Sequence, residues 1–345
     1  MRSDTKRRLM VALKVASVAM LVLILSGTVY ETIGERRDRK RYPQIGRSVD
    51  IGGRTLNIYC SGEGGPSVVF DTYGHMSGIS WSAVQREVAR FSRACWYDRA
   101  AYGWSDPAPM PRTFQSVESD LHALLRAAAI PPPYVLVGAG DAASHIRVYH
   151  GMYPGEVAGV VMVNANGVDD PDVKIPDSAK GGWAKHFGSF AHGVRGAACV
   201  VYPILARVGA VRLASVFQNL RSTPSLGLTP EQQTELDFLS DNPTAQQGSE
   251  MCAREESMQQ VRAAGDLGDV PLAVLASGPQ PQAATSAQSS VEAAWNKNQI
   301  EQVQPGLARL SSRGRLVVLK HDATAADVVD AVRDVVTEVR AERQK

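Results

Sequence analysis

Residues 134–149 have the sequence YVLVGAGDAASHIRVY, and this stretch decides the fold. Its first four residues are apolar, aromatic or β-branched and follow three prolines, a pattern that predicts a short buried strand. The small residues GAG at 138–140 predict a tight turn. From Asp141 onward apolar residues recur at helical spacing, and an aspartate favours the start of a helix. Ligands of α/β proteins bind at such a turn between a strand and a helix.

The rest of the chain repeats this alternation of strands and helices. Apolar or alternating runs predict a hairpin over residues 49–59 and strands over 67–70, 93–97, 157–163, 271–276 and 316–319. Amphipathic stretches predict helices over 81–91, 114–129, 295–311 and 325–340. Strands that alternate with helices favour a mostly parallel central sheet flanked by helices.

Residues 138–142, GAGDA, resemble the nucleophile elbow G-x-S-x-G of the single-domain α/β-hydrolases, in which a strand turns sharply into a helix. Without gaps, Gly138 matches the first glycine of the motif, Gly140 matches the serine and Ala142 matches the second glycine. Since glycine has no side chain, Gly140 cannot form an acyl-enzyme. The resemblance implies the α/β-hydrolase fold, and the missing nucleophile implies a catalytically degenerate member, a pseudoenzyme.

Residues 97–106, YDRAAYGWSD, resemble a second motif of this family, Y-D-R-x-G-x-G-x-S-D, with Ala101 in place of a glycine. We expect Asp98 and Arg99 to form structural charge pairs rather than catalytic ones. The resemblance covers most of the chain after residue 42 and is strongest over residues 49–163. It implies a mostly parallel sheet flanked by helices, with a cap inserted over the site.

The resemblance also locates the other members of a catalytic triad. Many relatives end the strand at 157–163 with V-D-A, and Asn164 stands where that aspartate is expected. An asparagine is neutral, so it cannot stabilise an imidazolium as a triad acid does. Ser277, after a later strand, stands where other members carry an acid. The base is expected in the loop 320–324, KHDAT, which is shorter than the family pattern and has no glycine before His321. His321 is either a retained base or a histidine beside Asp322 on the rim of the site.

The loop 71–78, DTYGHMSG, occupies the oxyanion-hole position of the family, where backbone N–H groups hold the developing negative oxygen. We expect residues of this loop and the residue after the elbow glycine to line a pocket: Thr72, Tyr73, His75 and Asp141. His75 is either a ligand contact or a loop histidine hydrogen-bonded at the surface.

An alternative nucleophile arises if the register slips by one residue. Asp141 would then resemble the aspartate nucleophile of dehalogenases and epoxide hydrolases, which forms an ester intermediate. The gapless register instead favours a helix-start aspartate, and Ser144, one turn into the helix, is expected to pack.

Three hypotheses follow for the function. The first is a degenerate, membrane-tethered protein whose capped pocket binds a small apolar ligand or a protein partner. The second is an active ester, epoxide or haloalkane hydrolase that uses Asp141 with His321 as base, or a serine not yet identified. The third is a scaffold whose pocket has closed.

Residues 9–30 are apolar apart from Lys14 and a few small hydroxyl residues. About 22 helical residues span roughly 33 Å, enough for a bilayer core of roughly 30 Å, which predicts a single-pass membrane protein. The basic residues 6–8 favour a cytoplasmic N-terminus and an extracytoplasmic location for the bulk of the chain, although a second basic cluster at 36–41 blurs the signal. A cleaved signal peptide is the alternative, but the A-x-A pattern is absent.

The predicted organisation has five parts. They are a cytoplasmic N-terminus (1–8), a transmembrane anchor (9–30), a charged linker (31–41), an α/β-hydrolase core (42–167 and 269–345) and a cap or lid (168–268). The cap segment is helical and irregular in character, and a plain surface excursion is the alternative.

The net charge of +2 gives no footprint for nucleic-acid binding. No cofactor and no metal site is expected. The four cysteines fit an exported protein, with Cys60–Cys95 and Cys199–Cys252 as candidate disulfides, and spacing leaves free buried thiols as the alternative.

Overall fold

A computed structural model of the chain describes residues 2–72, 76–166, 201, 204–210, 212–213, 229, 249–250, 252–278 and 297–344. The strands of this part of the chain are β1 (Arg47–Asp50), β2 (Thr55–Ser61), β3 (Ser67–Asp71), β4 (Ala94–Tyr97), β5 (Tyr134–Ala139), β6 (Val157–Val163), β7 (Leu272–Ala276) and β8 (Gly314–Val318). The helices are α1 (Arg2–Arg41), α2 (Ser82–Val88), α3 (Phe114–Ala127), α4 (Ala142–Met152), α5 (Arg254–Ala263), α6 (Gln304–Ala308) and α7 (Ala325–Arg343).

The described strands form one sheet in the order β1-β2-β4-β3-β5-β6-β7-β8. β2 pairs antiparallel with β1 and β4, whereas every neighbouring pair from β4 to β8 is parallel. This confirms the mostly parallel sheet that the sequence predicts. The carboxyl ends of β3 to β8 therefore lie at one edge of the sheet, where β5 turns into α4.

The sheet is buried on both faces, which is why its parallel strands are apolar throughout rather than alternating. On one face α3, α4 and α6 pack on side chains such as Leu136 of β5. On the other face α2 and α7 cover a cluster that includes Val135 and Val137 of β5. The valines of α7 lie along its buried face, as the amphipathic pattern predicts.

One predicted helix differs from the structure. The sequence predicts a single helix over residues 295–311, but the described part, from residue 297, contains a π-helical turn, Gln299–Val303, followed by α6. Pro305 lies in the first turn of α6 and has no N–H to donate, so the wider turn before it accommodates the missing backbone bond.

The N-terminal helix is longer than its apolar core. α1 extends through the charged residues 31–41, which the sequence predicts as a linker, because these residues are good helix formers and Pro43 lies just beyond. The span Lys6–Arg41 is long and apolar enough to cross a membrane, with a hydropathy of 2.4 over its most apolar window, and that window is not buried against the rest of the chain.

Most of the predicted cap, residues 168–268, lies outside the described residues. Its final helix, α5, packs on α3 and α4 through a small apolar cluster formed by Phe114, Val148, Met258 and Val261. Ser257 of α5 accepts a hydrogen bond from the backbone N–H of Phe114 at 3.2 Å. The end of this insertion is therefore fixed to the helix that follows the elbow.

Candidate functional site

The turn between β5 and α4 has the backbone of a nucleophile elbow. Gly140 has φ +59°, in the left-handed region where a residue with a Cβ atom is strained. Its N–H donates to the carbonyl of Val163 at 3.1 Å, and its carbonyl accepts from the N–H of Asn166 at 2.9 Å. The tip of the elbow is thus held firmly against the end of β6 but offers only backbone atoms for chemistry.

Asn164, at the expected acid position, is part of a neutral hydrogen-bond bridge. Its side-chain N–H₂ donates to Ser277 Oγ at 2.8 Å, and its Oδ1 accepts from the N–H of Ser277 at 2.7 Å. Ser277 Oγ also accepts from the N–H of Ala323 at 2.9 Å. The two positions where relatives carry an acid therefore bind each other and tie the ends of β6 and β7 together.

His321, the candidate base, lies on the surface with its side chain 58% exposed. Its Nδ1 is 2.8 Å from the carbonyl oxygen of Asp322 and 3.8 Å from Oδ2 of Asp327, the residue that closes the capping box of α7. No contact between described residues joins His321 to Gly140 or Asp141. The side-chain partners of His321 in the described chain are thus its own loop and the start of α7.

Asp141 stands at the N-cap of α4 with ordinary helical dihedrals (φ −75°, ψ −14°) and makes no side-chain capping bond. Its backbone carbonyl accepts from the N–H of Ser144 at 2.9 Å. The negative charge of Asp141 is felt by Asp71, whose pKa it helps to raise. The carboxylate of Asp141 therefore interacts electrostatically with the carboxyl group at the end of β3.

The oxyanion-hole loop begins at the end of β3. Asp71 is the register partner of Gly138 on β5, so this loop starts beside the elbow. Thr72 is buried, and its Oγ1 has no hydrogen-bond partner among the described residues. Tyr73 and His75 lie outside the described residues.

The main feature that the sequence did not reveal is a buried charged cluster on the β3 side of the elbow. It consists of Asp71, Arg99, Glu118 and His145, whose side chains are all at most 3% exposed. Four ionisable groups at this depth need mutual compensation, because an unpaired buried charge is strongly unfavourable.

Asp71 is the member nearest the elbow. Its Oδ1 accepts a hydrogen bond from the hydroxyl of Tyr97 at 2.9 Å, whereas its Oδ2 is buried with no hydrogen-bond partner among the described residues. Burial raises the pKa of Asp71 to about 6, although the positive charge of Arg99 opposes that rise. This carboxyl group is therefore poised to gain or lose a proton near neutral pH.

His145 bridges the other two members. Its Nδ1 is 2.8 Å from Glu118 Oε1, and its Nε2 is 3.1 Å from an Arg99 nitrogen. A guanidinium only donates, so Nε2 accepts and the neutral ring carries its proton on Nδ1, which donates to Glu118. Burial, then the charges of Arg99 and Arg112, hold the pKa of His145 well below its usual value. Burial raises the pKa of Glu118 well above its usual range.

Residues from the end of the insertion complete the surroundings of the cluster. The hydroxyl of Tyr102 donates to Glu250 at 3.1 Å, and the N–H of Arg112 donates to Ser249 Oγ at 2.9 Å. Burial raises the pKa of Glu250, although the charge of Arg99 opposes it. Arg99 therefore stands at the centre of a cluster with more acidic than basic groups.

Three of these side chains are of types that bind metals. Donor atoms of Asp71, Glu118 and His145 lie within 4.8 Å of one another. Arg99, however, donates to the second ring nitrogen of His145 and supplies a permanent positive charge at the same place. A divalent ion beside this guanidinium would be repelled, so the geometry favours an internal ion cluster over a metal site.

The turn 97–106 corrects the charge pair that the sequence predicts for Asp98. Among the described residues Asp98 has no charged partner: it accepts from the Ser77 hydroxyl at 2.6 Å and from the Gly78 N–H at 2.7 Å, and its other donors, the Asn57 amide and the Trp104 N–H, are neutral as well. The expected ion pair fails because these uncharged donors surround the carboxylate. Ala101, which replaces a glycine of the family motif, has φ +64°, a left-handed conformation that glycine adopts more readily than alanine.

Two sequence signals could have revealed the charged cluster. Glu118 interrupts the apolar face of α3, whose other buried residues include Val117 and Leu121. His145 lies in the same way among the buried residues of α4. An acid and a histidine on the apolar faces of two consecutive helices predict a pair between them.

The cysteines are oxidised where the structure describes them. Cys60 of β2 and Cys95 of β4 are register partners with Cα atoms 4.1 Å apart, and they form a disulfide. Cys252 is also disulfide-bonded, whereas Cys199, its expected partner, lies outside the described residues.

No protein-family model matches the chain. The uncharacterized protein YbdG of Bacillus subtilis (strain 168) is 26% identical over 157 residues, and the probable transporter efuK of Hormonema carpetanum is 32% identical over 107 residues. These matches involve 43% and 29% of this chain. The chain spans 47% of the first relative's length and 15% of the second's.

Solved structures match much more of the chain. An enol-lactonase from Burkholderia xenovorans LB400 is 16% identical with a TM-score of 0.51, and the match covers 85% of this chain and 98% of that one. A Vigna radiata epoxide hydrolase mutant is 16% identical with a TM-score of 0.56, over 86% of this chain and 96% of that one. The chain has the α/β-hydrolase fold. An esterase from Thermogutta terrifontis, 16% identical with a TM-score of 0.51 over 87% and 98% of the two chains, shares this α/β-hydrolase fold.

Proposed function

We propose that the protein is a membrane-anchored, catalytically degenerate α/β-hydrolase-fold protein that binds a small apolar ligand or a partner in a capped pocket. The observation that carries this proposal is Gly140, which has the left-handed backbone of the elbow tip and no side chain. A serine hydrolase needs a nucleophile, a base and an acid in mutual reach. The elbow lacks the first of these.

The other two triad positions support the same conclusion. Asn164 is neutral and engaged with Ser277, and His321 is exposed and bonded near the start of α7. Removing a triad costs about 10⁶ in rate and leaves roughly 10³ to 10⁴ over water from the rest of the site. Binding is the function that this arrangement retains.

The membrane anchor is supported by α1, and the extracytoplasmic location by the cysteines. The helix has the length and composition to cross a bilayer, and basic residues precede its apolar part. A disulfide between Cys60 and Cys95 fits an oxidising compartment, because disulfides are rare in the cytosol.

An active hydrolase is the second candidate, with Asp141 as nucleophile and His321 as base. It is favoured by the names of the similar structures, which include an epoxide hydrolase and an enol-lactonase. The position of Asp141 at the N-cap of α4 and the absence of a described contact with His321 weigh against it. A scaffold with a closed pocket is the third candidate.

The test is hydrolysis of short- and medium-chain esters, an epoxide and a haloalkane by the full chain purified in detergent. Asp141→Asn and His321→Ala would be compared with Asp322→Ala, which removes an exposed acid beside His321. We expect no turnover above buffer for any of the proteins. Turnover that is lost in Asp141→Asn and His321→Ala but kept in Asp322→Ala would overturn the proposal.

A ligand-binding measurement distinguishes the protein with an open pocket from the scaffold with a closed pocket. Native mass spectrometry of the full chain, extracted from membranes in mild detergent, is expected to show a bound apolar molecule that denaturation releases. A chain that is bare in this measurement and binds nothing from a library of apolar small molecules or from an extract would favour the closed scaffold.

A further inference from the structure

Part of the predicted cap, with Val208, Gly209 and Arg212 among its described residues, lies against the outer end of α1. The carbonyl oxygen of Val208 lies so close to Gly27 that a Cβ atom there would clash with it. At Gly34 a Cβ atom would lie 2.7 Å from the guanidinium carbon of Arg212. The two glycines, one heptad apart, let the segment pack directly on the helix backbone.

Arg212, Glu31 and Asp38 form an ion-pair clamp that fixes this contact beyond the apolar part of α1. Arg212 donates from Nε to Glu31 Oε2 at 3.0 Å and from a terminal nitrogen to Glu31 Oε1 at 3.1 Å. Its other terminal nitrogen is 2.5 Å from Asp38 Oδ2. The three side chains are at most 18% exposed, so the paired charges are well shielded from water.

The residues just before the clamp expose an apolar stripe. Val201, Ile204 and Leu205 are 47%, 56% and 42% exposed, and their spacing puts them on one helical face. Ala206, on another side, is buried. Arg207 is exposed next to the stripe. An apolar face with a neighbouring arginine is typical of a helix that lies in a membrane interface.

The anchor sets the depth of this stripe. Val208 meets α1 at Gly27, which precedes Tyr30, the end of the apolar run, by three residues or about 4.5 Å of helix. Arg212 pairs beyond that end, with Glu31 and Asp38. The chain therefore crosses the boundary of the apolar run between Val208 and Arg212, and the stripe lies on the lipid side of this crossing.

We propose that Val201, Ile204 and Leu205 form a second membrane contact and insert among the lipids beside the outer end of α1. The inference rests on the proposed anchor. Because the segment belongs to the predicted cap, it holds the cap at the bilayer surface. A lipophilic ligand of the capped site would then enter from the bilayer rather than from water.

Tryptophan quenching by brominated lipid tests this contact in the full chain. Ile204→Trp is reconstituted in phosphatidylcholine vesicles without bromines, with bromines near the outer part of the acyl chain, or with bromines near its end, so that both shallow and deep side chains are reported, and the wild-type emission is subtracted. The added emission is expected to fall roughly twofold in the brominated vesicles, as for a side chain about 5–10 Å below the headgroups.

Two controls separate the possible failures. Leu21→Trp, within the apolar part of α1, reports the anchor, and Val318→Trp reports an exposed apolar residue on β8, the sheet edge farthest from β1. Quenching at 21 and 204 but not at 318 supports the second contact. Quenching at 21 alone overturns it and leaves the anchor standing. The absence of quenching at 21 overturns the anchor, and with it this contact.

Discussion

The two sides of the elbow differ in how they use polar groups. On the β6 and β7 side, Asn164 and Ser277 exchange neutral hydrogen bonds near the surface, and His321 faces solvent. On the β3 and β4 side, Asp71 and Arg99 lie in a fully buried charged cluster. In the described chain, the side where the resemblance places a triad acid and base holds a neutral hydrogen-bond bridge and an exposed histidine, whereas the opposite side holds the buried charges.

The buried charges of the site are concentrated in the cluster on the β3 and β4 side. Burying charges is unfavourable unless each is compensated, so the cluster adds little net stability compared with apolar residues. What it provides is a fixed arrangement of polar groups beside the elbow, with Oδ2 of Asp71 still without a described hydrogen-bond partner. Substitutions at the elbow and in the charged cluster are therefore expected to change the stability of the protein by different amounts.

The largest effect is expected on the charged side, from Arg99→Met. The substitution keeps an unbranched apolar stem but removes the guanidinium and leaves the acidic groups around it uncompensated, which should lower the free energy of unfolding by about 3–5 kcal/mol. Urea denaturation of the full chain in detergent measures it. Arg90→Met is the control: Arg90 is 73% exposed and pairs only with Glu87 in the described chain, so less than about 1 kcal/mol should be lost. If both variants lost the same free energy of unfolding, the buried cluster would be no more important for stability than an exposed ion pair.

The second effect is a pH dependence that belongs to Asp71. Its folded-state pKa of about 6 exceeds the usual 3.8, so protonation favours the folded state. That stabilisation is fully present below about pH 4 and is lost as the pH rises through about 6. Asp71→Asn should therefore gain stability relative to the wild type between pH 4 and pH 7, by up to about 3 kcal/mol.

A second variant sharpens this measurement. Tyr97→Phe removes the hydroxyl that donates to Asp71, so the pKa of Asp71 should rise further and the change in stability should shift to higher pH. His145 acts in the opposite direction: its lowered pKa makes the folded state lose stability as the pH falls below about 6.5, in both the wild type and Asp71→Asn. A stability difference between wild type and Asp71→Asn that is flat with pH would mean that Asp71 does not titrate.

The smallest effect is expected at the elbow. Gly140→Ser restores the hydroxyl but must adopt φ +59°, which costs about 1–2 kcal/mol. We expect reduced stability and no ester hydrolysis, because Asn164 and His321 supply neither acid nor positioned base. Gly155→Ala, where a Cβ atom meets nothing within 4 Å, is the stability control. Hydrolysis by Gly140→Ser would show that the neutral side still holds a working base.

Much of the fold follows from local patterns in the sequence. The strands around the elbow, the turn at Gly140 and the helix after it depend on residues adjacent in the chain, so apolar runs and small residues suffice to predict them. The absence of a side chain at Gly140 was visible for the same reason, since it is a property of one residue in a recognisable turn.

Only the tertiary structure decided which distant groups meet. Glu118 and His145 are on different helices, Arg99 follows β4, and Asp71 ends β3, so their cluster exists only because the sheet order and helix packing bring these elements together. The bond between Asn164 and Ser277 and the outward position of His321 depend in the same way on how β6, β7 and α7 are placed. Local propensity sets each element, but the burial and charge of a side chain depend on neighbours that are remote in the sequence.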